Sequence, residues 1–72
     1  MAALPLISGL QCVAALGRLG YKQVRCRGSH ARLVCPGRPP VTVPLHHELD
    51  RRTLRTIIHM ADLTEEEFLA LL

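Results

Sequence analysis

From Tyr21 onward the side chains alternate with a period of two, with Lys22, Val24 and Cys26 on one side and Gln23, Arg25 and Arg27 on the other. Gly28-Ser29 breaks the pattern, and His30-Ala31-Arg32-Leu33 resumes it. Alternation of this kind marks a strand, and a two-residue loop with glycine first fits a type II′ hairpin turn. A loop of that length leaves one register, which pairs Arg27 with His30, Cys26 with Ala31, Arg25 with Arg32 and Val24 with Leu33. Directly opposed residues share a face of the sheet, so the register also sorts the side chains. Val24, Cys26, Ala31 and Leu33 are expected on an apolar face, with Arg25, Arg27, His30 and Arg32 gathered on the other.

The segments around this hairpin read as helices with recognisable starts. Ser8 and Gln11 have capping-box spacing, Ile7 and Cys12 have staple spacing, and Cys12, Ala15, Leu16 and Leu19 repeat as one apolar stripe, which predicts a helix over 9–19 ending at Gly20. Pro36-Gly37-Arg38-Pro39-Pro40 reads as a connecting loop, and Val41-Thr42-Val43 as a short third strand ended by Pro44. Asp50 caps a second helix, with Leu49 and Leu54 as its staple, Leu54, Ile57, Ile58 and Ala61 as its stripe, and Arg51, Arg52, Arg55 and His59 on its polar side. Thr64 with Glu67, and Leu63 with Phe68, start a short last helix whose first turn carries Glu65 and Glu66. The expected fold is α+β: a helix, a three-stranded antiparallel sheet, a helix and a short C-terminal helix, with the helices on one face of the sheet. The expected domain covers 8–72, preceded by an extension over 1–7.

Charge then points to a class of ligand. Residues 1–47 hold Arg18, Lys22, Arg25, Arg27, Arg32 and Arg38 and no carboxylate, so the net charge of +3 is +6 followed by −3. Opposed arginines on a sheet repel, and an anionic ligand offsets the repulsion. With two aromatic residues, Tyr21 and Phe68, base stacking is a poor option and the phosphate backbone is the main handle. At 72 residues the chain buries only about 60% of the surface its unfolded form exposes, which favours a shallow site. Imidazole is the side chain that both takes and gives protons near neutral pH, so His30 among fixed cations is the candidate catalytic residue. His46, after a strand that would lie beside the hairpin, is the candidate second proton-transfer group, ahead of its neighbour His47.

Other classes fit less well. Cys12, Cys26 and Cys35 are odd in number, stand at apolar positions, and suit a reducing compartment. No C-x-x-C or H-x₃-H spacing occurs, so neither metal nor cofactor is expected. The uncharged start lacks a basic n-region and is broken by Pro5, Ser8, Gly9 and Gln11, which argues against an export signal and for a cytoplasmic location. No apolar run is long enough for a membrane span. A phosphate-gripping module that holds RNA without cutting it would use the same basic hairpin and is the alternative reading.

The order of elements and several strings resemble the HicA family of toxin ribonucleases from toxin–antitoxin pairs. These strings are Leu19-Gly20-Tyr21, Val24-Arg25-Cys26-Arg27-Gly28-Ser29-His30, Val41-Thr42-Val43-Pro44-Leu45-His46 and Thr53-Leu54-Arg55-Thr56-Ile57-Ile58. The resemblance implies a double-stranded-RNA-binding-domain-like fold and cleavage of mRNA; that the cleavage needs no metal ion is expected from the absent metal-ligand spacing. His30 would stand at the family's catalytic position and a HicB-type antitoxin would be the inhibitor, while the basic hairpin itself makes Arg25, Arg27, Gly28, Ser29 and Arg32 the expected RNA-binding residues. Contact with DNA by this chain alone is not implied. Arg52 and Asp62 stand where the family commonly has glycine.

Overall fold

Each helix begins where the sequence supplies a cap. In the computed structural model, which describes residues 3–72, helix α1 spans Gly9–Leu19, α2 spans Arg51–Met60 and α3 spans Glu65–Leu69. Ser8 Oγ accepts from the Gln11 amide at 3.1 Å while the Ser8 amide donates to Gln11 Oε1 at 2.8 Å. Thr64 and Glu67 repeat this reciprocal pair at 3.1 and 2.8 Å. Asp50 accepts from the Thr53 amide at 2.8 Å and from the Thr53 hydroxyl at 3.0 Å. These bonds satisfy amides that a helix start otherwise leaves open.

Strands β1 (Lys22–Arg27), β2 (His30–Cys35) and β3 (Arg38–Pro44) form an antiparallel sheet in that order. One sheet face contributes Ala31, Leu33, Val41 and Val43 to the core, where they meet Cys12, Ala15 and Leu16 of α1, Leu54, Ile57 and Ile58 of α2, and Phe68 of α3. The apolar stripes expected on α1 and α2 are buried, apart from a partly exposed Leu19. Leu4 and Ile7, ahead of α1, also reach the core, at 2% and 6% exposure. Side chains as large as Phe68, Leu16 and Leu54 contribute about 1.5–3 kcal/mol each when fully buried, so a chain this short needs nearly all of them.

The hairpin departs from the expected register at one residue. Arg27↔His30, Cys26↔Ala31 and Arg25↔Arg32 pair as predicted, but the register shifts between Gln23 and Arg25, so Leu33 faces Gln23 and Val24 is left in a bulge. The expected apolar face is therefore half right. Ala31 and Leu33 are buried, whereas Val24 is 59% exposed and Cys26 is exposed. The reason lies in coverage: α1 and α2 pack chiefly against β3, and β1 is exposed along its whole length. Nothing demands an apolar residue on the inner side of an uncovered edge strand.

A second correction concerns 36–40, expected as a loop. The turn is Pro36-Gly37 alone, and β3 already starts at Arg38. Prolines fit here because β3 is an edge, and an edge strand tolerates missing amide donors on its free side. At Asp62, where glycine would be the usual choice, the backbone holds φ 62°, a left-handed turn that aspartate tolerates better than most side chains.

Candidate active site

His30 owes its position to the turn before it. Gly28 has φ 59°, Ser29 does not have a positive φ, and this combination is that of a type II′ turn whose closing pair is Arg27 with His30. The pairing sets His30 beside Arg27 and Arg25 beside Arg32 on the sheet face turned away from the core. Across β3, His30 faces Pro44 and Arg32 faces Thr42, whose hydroxyl accepts from Arg32 Nη1 at 3.1 Å. Arg25, Arg27 and His30 are exposed, and among the described residues no carboxylate forms an ion pair with any of the hairpin arginines. The ion pair that does occur, Arg55 Nε to Glu65 Oε2 at 3.6 Å, lies in the helical layer.

His46 comes to this face by a different route. Three backbone bonds pin the segment after β3: the Leu45 amide donates to the Ser29 carbonyl at 2.6 Å, the Gly9 amide to the His46 carbonyl at 2.9 Å, and the Leu49 amide to the Ile7 carbonyl at 2.7 Å. The hairpin turn, the first residue of α1 and the segment ahead of α1 thus hold the chain from both sides. As a result the rings of His30 and His46 stand with centroids 6.5 Å apart and planes at 71°.

Gly9 makes this arrangement possible. A Cβ there would fall onto the Pro44 carbonyl oxygen and lie 2.7 Å from the Leu45 Cα, so α1 can start against β3 only without a side chain. Sequence reasoning used Gly9 only as a break in the uncharged start and gave it no part in the site, because the close approach is tertiary. It also passed over Thr42, whose position between two core valines puts it on the outer face by alternation alone.

The structure therefore brings together Arg25, Arg27, Gly28, Ser29, His30 and Arg32 with His46. His59 is exposed in the last turn of α2. Among the described residues no group of three or more His, Cys, Asp or Glu side chains is placed to hold a metal ion, and no helix is long and apolar enough to cross a membrane. Burial pushes the Cys12 thiol up to about 12, which leaves it without nucleophilic character. Fixed cations around an exposed imidazole on an open, shallow face can bind a phosphodiester and move a proton on it.

No curated protein matches the chain. The family model described as the HicA toxin of bacterial toxin-antitoxin matches residues 10–63, well over half of the sequence. Among solved structures, a chain of a toxin-antitoxin complex from Streptococcus pneumoniae is 33% identical and superposes with a TM-score of 0.70, covering 79% of this chain and 98% of its own. With the family's fold present from α1 through α2 and the match running over the hairpin and both histidines, this chain belongs to the HicA toxin family.

Proposed function

We propose that the chain is a metal-independent endoribonuclease toxin that cleaves mRNA, with His30 as the proton-transfer residue, and that a HicB-type antitoxin neutralises it. The observation that carries this reading is the pair of rows Arg25–Arg32 and Arg27–His30 on the outer sheet face, one imidazole set among guanidinium groups with no carboxylate paired to them among the described residues. In RNA the nucleophile is supplied by the substrate. A base takes the 2′-hydroxyl proton, the oxygen attacks the adjacent phosphorus, and charge grows on the non-bridging oxygens, where guanidinium donors stabilise it. Arg32 is held for this by Thr42, while Arg25 and Arg27 remain free to meet successive phosphates. Gly28 and Ser29 keep the approach open, since the turn carries one small side chain and one hydrogen.

The toxin half of the proposal rests on family membership, and the antitoxin half on the likeness to a chain from a toxin-antitoxin complex. The test is expression of the chain alone, followed by incubation of the purified protein with RNA in excess chelator. Growth arrest and RNA cleavage are expected from the unaltered chain, with cleavage insensitive to EDTA and a DNA strand of the same sequence left intact. His30→Ala should lower cleavage by about 10²–10⁴-fold while leaving the fold unchanged. Equal arrest and equal cleavage by a folded His30→Ala variant would remove His30 from the mechanism.

A further inference from the structure

We propose that His46 is the second proton-transfer group of this site, so that cleavage runs through a histidine pair. The inference rests on the ribonuclease reading and assigns the half of the reaction that one imidazole leaves open. Breaking the chain at phosphorus needs two proton movements on opposite sides of it: removal from the 2′-hydroxyl and delivery to the departing 5′ oxygen. The rings of His30 and His46 are exposed and 6.5 Å apart between centroids. A phosphodiester lying between them brings the 2′-hydroxyl next to it toward one ring and its 5′ bridging oxygen toward the other, within the hydrogen-bond reach that proton transfer requires.

The placement of His46 is built rather than incidental. Its carbonyl accepts from the Gly9 amide, its neighbour Leu45 is bonded to the Ser29 carbonyl beside His30, and Gly9 has no room for a side chain. The ring takes no part in those bonds and is free for chemistry. The charged and titratable groups near it are few. His30 stands across the β2–β3 pair with Arg27 beside it, His47 and Glu48 follow on its own segment, and the first turn of α1, packed there through Gly9, carries no charge.

The step balances without a co-reactant. One imidazole, neutral, takes the 2′-hydroxyl proton as the 2′ oxygen bonds to phosphorus. The bond from phosphorus to the 5′ oxygen breaks, and the other imidazole, protonated, gives its proton to that oxygen. The products are a 2′,3′-cyclic phosphate and a 5′-hydroxyl. The two rings end with their protonation states exchanged, and because both face solvent, water resets them.

The test is the pH profile of kcat/KM on an RNA oligonucleotide for the unaltered chain, His30→Ala, His46→Ala and His46→Gln. A bell-shaped profile is expected for the unaltered chain. Both His46 variants should lose about 10²–10⁴-fold and one limb of the bell, and free imidazole should restore part of the activity of His46→Ala. Their circular dichroism and salt-dependent RNA binding should match the unaltered chain, because the backbone bonds at residue 46 survive the substitution. An intact bell with activity within an order of magnitude of the unaltered chain in both His46 variants would overturn the pair while leaving the ribonuclease reading standing. RNA left intact by the unaltered chain would take down both.

Discussion

Gly9 shows how one residue far from the hairpin in sequence sets the geometry of the site. An alanine in a helix is ordinarily worth about 1 kcal/mol over glycine, which would make Gly9→Ala look favourable. Here the added carbon meets the Pro44 carbonyl and the Leu45 Cα, both backbone and both immediately before His46. Overpacking of this kind costs about 1–3 kcal/mol, and its relief moves either α1 or the His46 segment. Gly9→Ala should therefore lower the urea midpoint and also reduce RNA cleavage, with RNA affinity nearly unchanged because the arginines sit on other strands; a midpoint at or above the original would show that the contact relaxes freely. His30 and its arginines were legible in the sequence because a two-residue turn fixes their register. The nearness of His46 was only a candidate there, since it depends on β3 pairing with β2 and on bonds to α1 that no local pattern encodes.

The elements were legible in proportion to how local their determinants are. All three helix starts follow from caps and staples within a few residues, and they occur where the spacing places them. The inner side of β1 did not follow, because whether a strand is covered depends on where the helices land; they land on β3, leaving Val24 and Cys26 uncovered. The range 36–40 read as a loop because prolines usually interrupt a strand, and only the strand's edge position reverses that inference. The caps themselves predict a pH response. Bonds from the Thr53 amide and hydroxyl hold the Asp50 carboxyl below its usual range, and the bonds with Thr64 do the same for Glu67. A carboxyl lowered in the folded state contributes stability that is fully present above its unfolded pKa and lost as the pH falls through its folded one. The melting temperature should accordingly be insensitive to these groups near neutrality and decline below about pH 4. Asp50→Asn preserves a good cap and should flatten that decline with little change at pH 7; an acid limb as steep as the original would place the sensitivity elsewhere.

At the scale of the molecule the charge asymmetry of the sequence becomes a difference between layers. Glu65, Glu66 and Glu67 ride on α3 in the helical layer, while the open sheet face presents Arg25, Arg27 and Arg32. RNA held on this face should dissociate steeply with salt, and each arginine replaced by alanine should reduce the slope of log K against log salt by about 0.7, the value for one single-strand phosphate. The same face suits an antitoxin, whose carboxylates would meet the guanidinium groups that RNA phosphates would engage in the proposed reaction. Complementary charge of that kind speeds encounter more than it strengthens the final complex, so the association rate is the sensitive quantity. The competing surface is α2, where Arg51 donates to the Leu4 carbonyl and Arg55 pairs with Glu65, leaving Arg52 as the residue of that row with no such bond among the described residues. A partner steered by α2 would therefore find most of its cations already engaged. Replacing Arg25, Arg27 and Arg32 should slow antitoxin association and weaken its salt dependence, Arg52→Ala should change it little, and RNA should compete with the antitoxin for the unaltered chain. If only the α2 variant slows association and RNA and antitoxin bind together, inhibition acts from the helical side and the sheet face stays open in the complex.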